Sequence, residues 1–273
     1  MLEVIYVTRH GFSPPKHNVD LETGIYSSTV PSPTGNASDP ALAGYGVDQC
    51  RELAAHLVTL SPAIERFYSS PFYRCVQTIE ATTSRLQRAG ATEARCAIRG
   101  DAGLGEWFGT APFAHPAPAD PAFLKRHFAT YDAGWESSIV PAVHGETVAE
   151  LHDRVAYALH RIVERSDAEG VRAIVLCTHA ATLYAIGRAL TGRMPEDIGD
   201  EDFRPFACGL SSFVRRMAGG CDEGSGPPVE VWKEAGSGIP RIDWRGGKGV
   251  KGGWDCVVSG DCSFLSGGEE RGW

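Results

Sequence analysis

Two stretches of the chain are apolar almost without a break, and both end alike. Residues 2–7 are rich in β-branched and aromatic side chains and read as a strand, closed by Thr8, Arg9 and His10. Residues 171–177 repeat the pattern, closed by Thr178 and His179, and run into the helical sequence ATLYAIGRAL. Between them, apolar positions recur at helical spacing over 46–60 (Val47, Cys50, Leu53, Ala54, Leu57, Val58), 72–89 (Cys75, Val76, Ile79, Leu86) and 146–167 (Val148, Leu151, Val155, Leu159, Ile162). Residues 66–68 and 94–99 read as short strands, 121–130 as a short helix, and 208–217 as a strand near the sheet edge. Residues 12–40 and 100–121 read as irregular loops, the first long enough to suggest function. Strands alternating with helices predict an α/β layered fold with a mostly parallel sheet.

In open α/β sheets, ligands sit beyond the carboxyl ends of the strands. Arg9, His10 and His179 are all delivered to that edge. Helices expected to start just after Ser70 and Thr178 would turn backbone N–H groups into the same crevice, a setting that favours an anion, phosphate foremost. Arg74, one turn into its helix, adds a second guanidinium able to fork onto phosphate oxygens. Glu106 lies between glycines and beside Trp107 and Phe108; aromatic walls favour a neutral carboxyl, which suits a proton donor.

Composition narrows the classes. The 273 residues are 42% hydrophobic and 22% charged, as expected of a globular chain with room for a large core. A net charge of -8 argues against direct nucleic-acid binding and against anionic membranes, so an anion site must be a local positive pocket. No apolar run has the ~18–20 residues a membrane helix needs, and residues 1–20 carry no secretory leader pattern. Eight cysteines are scattered without a CxxC, which predicts free thiols, an intracellular (cytoplasmic or nuclear) setting and no metal; a Cys256–Cys262 bridge is conceivable on spacing. Eleven of the 35 residues over 219–253 are glycine, which predicts a flexible connector after a domain of residues 1–218. Residues 254–273 then resume strand-like composition and are expected to pack back on the domain.

Five ordered blocks carry a resemblance. Arg9-His10-Gly11 after the first strand, DPALAGYGVDQC (Asp39, Leu42, Gly46, Gln49), SSPFYRCVQT (Ser69, Ser70, Arg74, Gln77, Thr78), GETVAELHDRV (Gly145, Glu146, Thr147, Arg154) and VLCTHAA together resemble the histidine phosphatase superfamily over residues 3 to about 190. RHGF, SPFYRC and GLGEW, with the tail FLSGGEERGW, are also similar to the histidine-phosphatase-like subunit of transcription factor TFIIIC and its small fungal relatives. The Leu-x-Glu-Trp form around Glu106 is similar to the Sts phosphotyrosine-type branch.

The resemblance implies a three-layer, phosphoglycerate-mutase-like fold and a phosphomonoesterase that needs no cofactor. His10 would be the nucleophile that forms a phosphohistidine. Arg9, Arg74 and His179 would hold the phosphoryl oxygens, and Glu106 would protonate the leaving group. Asn18 stands one residue beyond where many members carry a phosphate-contacting Asn. Glu146 and Arg154 are expected to stabilise the fold rather than touch substrate. The implied substrate is a small phosphorylated molecule, an aryl or tyrosine-type phosphate, or a phosphoprotein. One alternative is a phosphatase-like interaction module with transcription-complex subunits as partners; another is a phosphoglycerate-type mutase, for which Lys16, Lys125 and Arg126 could supply extra charge.

Overall fold

A six-stranded sheet with helices on both faces organises the chain, seen in a computed structural model that describes residues 1–14, 18–216, 229–234 and 238–271. In chain order the elements are β1 (Val4–Arg9), β2 (Asn18–Val19), β3 (Tyr26–Ser27), α1 (Gly44–Leu57), β4 (Arg66–Ser69), α2 (Tyr73–Arg88), α3 (Glu93–Cys96), β5 (Ile98–Gly100), α4 (Pro121–His127), α5 (Val148–Ala168), β6 (Ala173–Thr178), α6 (Ala180–Thr191), β7 (Leu210–Arg215) and β8 (Trp254–Asp261). The order across the sheet is β5-β4-β6-β1-β7-β8. The pairs β4–β5, β4–β6 and β1–β6 are parallel, and β7 and β8 add an antiparallel edge.

Strands β1 and β6 are buried on both faces, which is why they read as unbroken apolar runs. Ile5, Val7, Ile174 and Leu176 pack with α5 and α6, while Val4, Tyr6, Ala173 and Val175 pack with α1 and α2. Two cores back to back on one sheet give the three layers expected. Helix α5 starts with a reciprocal capping box: Glu150 N–H donates to Thr147 Oγ1 at 3.2 Å, and Thr147 N–H donates to Glu150 Oε2 at 2.8 Å.

Several local expectations are revised. Residues 93–96 form a helical turn, capped by Thr92, and the strand begins only at Ile98. The loop over 12–40 contains the β2–β3 hairpin. Strand β7 lies near the sheet edge as expected, one strand in, with β8 pairing outside it. The thiols of Cys256 and Cys262 are both free.

The largest revision concerns the glycine-rich segment. Residues 219–228 and 235–237 of that expected connector lie outside the described residues. Its later part, 238–253, is packed: Trp244 and Val250 are fully buried in the core beside α5 and α6. Glycine there serves close approach as well as freedom. Gly249 has φ +68°, and a Cβ on it would stand 2.2 Å from the Leu190 carbonyl oxygen. The residues from 254 onward supply β8 and, with Cys262 and Leu265, part of the core against α1.

Candidate active site

Register puts the two histidines side by side. In the parallel pair of β1 and β6, Arg9 stands opposite Thr178, so His10 and His179 leave the sheet together. The His10 N–H donates to the Thr178 carbonyl at 3.0 Å, and the imidazole centroids are 5.4 Å apart. Gly11 lets the chain turn there, since a Cβ on it would meet the Gly46 carbonyl oxygen at 2.8 Å and Cys50 Sγ at 2.9 Å. Neighbouring β4 leads through Ser70 into α2, whose second residue is Arg74. Arg9, His10, Arg74 and His179 are each at least 95% buried by their side chains' surroundings.

Hydrogen bonds set the tautomer of His10. Its Nδ1 lies 2.8 Å from the Gly11 carbonyl, which can only accept, so Nδ1 carries the proton and Nε2 keeps its lone pair. Burial, and then Arg74, Arg9 and His179, push the His10 pKa well below the usual histidine value, which favours the neutral ring. His179 behaves oppositely. Burial disfavours its cation, but the sulfur of Cys75 and the carboxylate of Glu106 outweigh burial and Arg74, and its pKa is raised. His179 Nε2 is 2.8 Å from Ser70 Oγ, and its Nδ1 is 3.2 Å from Glu106 Oε2.

Arg74 ties the cluster together. Its Nη1 donates to Asp39 Oδ1 at 3.1 Å and to the Ser38 carbonyl at 3.0 Å, and its Nη2 donates to Glu106 Oε2 at 3.0 Å. Asp39 also accepts from the Tyr73 N–H at 2.8 Å, so this buried carboxylate caps α2, and that helix start is not left open for a ligand as expected. Glu106 lines an apolar cavity, as its neighbours suggested, but it is also an ion-pair partner of Arg74 and His179, which the sequence did not show. Its loop is held from below by the fully buried Arg154, whose Nε donates to both Glu146 oxygens at 2.8 Å and whose Nη1 donates to the Gly103 carbonyl at 2.9 Å.

Arg9 is buried beside these groups, and burial lowers its pKa somewhat. Asn18 sits on the β2–β3 hairpin, exposed and paired with Ser27, and the hydrogen bonds that tie the cluster together do not include it. Sequence reasoning left three members without a role: Asp39, Ser70 and Cys75, whose Sγ is 3.5 Å from His179 Nε2. All three lie in blocks quoted above, yet only their neighbours in space reveal what they touch. Among the described residues, no group of three or more His, Cys, Asp or Glu has the arrangement of a metal site.

A cavity of about 430 Å³ opens beside Glu106. Phe72, Phe108, Pro116, Tyr131, Trp135 and Val143 give it an apolar lining, and its ionisable side chains are Glu106, His115, Asp120, Tyr131 and Glu146. Phe72 packs edge-on against the His179 ring, centroids 5.4 Å apart, so the cavity wall reaches the histidine pair. No helix among the described residues is long and apolar enough to cross a membrane.

The transcription factor tau 55 kDa subunit of Saccharomyces cerevisiae is 30% identical, over 100% of this chain and 58% of its own length. The ecdysteroid-phosphate phosphatase of Drosophila melanogaster is 26% identical, over 62% of this chain and 22% of its own. The chain thus spans little more than half of one relative and about a fifth of the other. Among solved structures, the ecdysone phosphate phosphatase of Bombyx mori in complex with tungstate superposes with a TM-score of 0.59 at 20% identity, covering 89% of this chain and 98% of that one. A phosphoglycerate mutase from Bacillus anthracis does so with a TM-score of 0.51 at 12% identity, covering 96% and 94%, a likeness of fold. With residues 5–216 matching the model of the histidine phosphatase superfamily, branch 1, the chain belongs to that superfamily.

Proposed function

We propose that the chain is a phosphomonoesterase acting through a phosphohistidine on His10. The observation that carries this reading is the buried imidazole of His10, its Nδ1 fixed on the Gly11 carbonyl, which leaves Nε2 the lone pair, amid the charges of Arg9, Arg74 and His179. Nε2 attacks phosphorus as the ester P–O bond breaks. Protonated Glu106 gives its proton to the leaving oxygen, then takes one from the water that cleaves the P–N bond. Arg9, Arg74 and the His179 cation neutralise charge on the transferring group, and side chains supply every cation this scheme needs.

The substrate class follows from the cavity beside Glu106. With its apolar lining and without lysine or arginine, it suits an uncharged aryl or otherwise apolar leaving group. It suits a second anionic group poorly, which weighs against a mutase. Of the three cations considered for that role, Lys16 lies outside the described residues. Lys125 bonds the Ala129 carbonyl at 2.6 Å, and Arg126 lies over Phe123. The ecdysteroid-phosphate phosphatase relative supports the same class.

The test is hydrolysis of 4-nitrophenyl phosphate beside a substrate bearing a second charge, such as 3-phosphoglycerate. The expected result is turnover of the first, abolished in His10→Ala together with an acid-labile phosphoenzyme. Activity equal in wild type and His10→Ala would remove the reading.

A second reading, an intracellular subunit of a nuclear transcription assembly, is supported by the 30% identity to the tau 55 kDa subunit along the whole chain. The two readings are compatible. Its test is affinity purification of the tagged chain from its own cells: recovery of TFIIIC subunits supports it, and a monomeric chain without them counts against it.

A further inference from the structure

Arg9 is 2% exposed, and one of its terminal nitrogens, Nη1, is committed to backbone. It donates to the Pro205 carbonyl at 3.0 Å and to the Arg271 carbonyl. The second carbonyl comes from the run that follows β8. That run is stitched down along its length: Cys262 and Leu265 are buried in the core against α1, and Phe264 stacks on His56 with centroids 4.2 Å apart. The Ser266 N–H donates to Glu52 Oε2 at 3.0 Å. At its end the Glu270 carbonyl accepts from the Ala207 N–H at 2.8 Å, and the next N–H, of Cys208, donates to the Arg9 carbonyl at 3.1 Å. Arg271 closes the path with two 2.8 Å bonds to Glu201.

A guanidinium is a rigid planar fork, so holding one of its nitrogens on two carbonyls fixes the plane of all its donors. We infer that residues 262–271 form a strap that positions Arg9, presetting its fork for an oxyanion seated beside His10. The inference rests on the phosphate-site reading above. It assigns the tail a part in building the site, beyond packing on the domain, and makes Arg271 and Glu201 positioning residues that act through Arg9.

The test reverses the charge pair at the end of the strap, in the full chain. Glu201 and Arg271 are more than half exposed and lie outside the catalytic cluster, so reversal leaves the core intact. Tungstate affinity by calorimetry and kcat/KM for 4-nitrophenyl phosphate are measured for Glu201→Arg, Arg271→Glu and the double swap. Each single variant is expected to weaken both by about fivefold, the scale of an exposed pair turned repulsive, and the swap to recover to within about twofold of the parent. A mere change of field at the site would act in opposite directions in the two singles, tightening tungstate in Glu201→Arg. That result, unchanged singles, or faster turnover in them would overturn the strap. The parent is measured first: a parent with neither tungstate binding nor His10-dependent turnover removes the phosphate-site reading and the strap with it. A competent parent with unmoved variants removes the strap alone.

Discussion

The carboxylate of Glu106 lies 3.0 Å from the guanidinium of Arg74, and the same oxygen is 3.2 Å from His179 Nδ1. In this state the proposed acid is itself the anion held between the two cationic side chains. A phosphate entering the cluster must displace it, and the freed carboxylate takes up a proton, from solvent or from the phosphate monoanion itself, before giving it to the leaving oxygen.

Glu106→Gln should therefore have two opposite effects. Tungstate affinity should rise several-fold, because a competing anion is gone. The kcat for 4-nitrophenyl phosphate should fall by about 10²–10⁴, the usual contribution of a positioned proton donor. Calorimetry and steady-state kinetics read the two separately, and weaker tungstate binding in the variant would count against the displacement.

The two histidines should bracket the pH profile. His10 must be neutral to attack, and its lowered pKa keeps it so until the pH falls well below 6.5. His179 is useful as a cation, and its raised pKa keeps the charge until the pH climbs above 6.5. The profile of kcat/KM, which reports the free enzyme, should thus be flat across that value and fall at high pH as His179 deprotonates. Cys75 contributes most to raising His179, so Cys75→Ala should move the alkaline limb to lower pH. An unmoved limb would assign it to another group.

Arg154 and Glu146 should matter for stability first. Both are buried, at 0% and 5% side-chain exposure, and Arg154 also holds the carbonyls of the loop that carries Glu106. Arg154→Ala strands the Glu146 carboxylate and should cost about 3–5 kcal/mol. Denaturant unfolding measures the loss. Below the melting transition, the fully folded fraction should still show reduced kcat through the displaced Glu106 loop.

Trp244 tests how the glycine-rich region is held. It is fully buried, stacked on His152 at 6.1 Å and under Arg245, inside the core beside α5. Trp244→Ala should destabilise the whole domain by about 3–5 kcal/mol, in one cooperative transition, as deletion of a core aromatic does. A variant as stable as the parent would return this segment to the role of a loose connector.

Much of the fold was legible because its signals are local. The buried strands β1 and β6 announce themselves by unbroken apolar runs, α1, α2 and α5 by periodicity, and the histidines by standing at the ends of those two strands. The misread pieces are those where composition competes with distant packing. Residues 93–96 have apolar neighbours but are turned into a helix by the Thr92 cap, and the glycines of 238–253 suggested freedom where Trp244 needs a close approach to the core.

The sequence by itself determined the order of elements, the two-faced burial of the parallel strands and the delivery of Arg9, His10, Arg74 and His179 to one sheet edge, since each follows from side chains near one another along the chain. Tertiary structure alone decided that Asp39 caps α2 and grips Arg74, that Glu106 is ion-paired, and that Arg9 is held by carbonyls 196 and 262 residues away. Those are contacts between groups far apart in sequence. Their energies depend on burial and on the distance between charges, neither of which exists until the chain has folded.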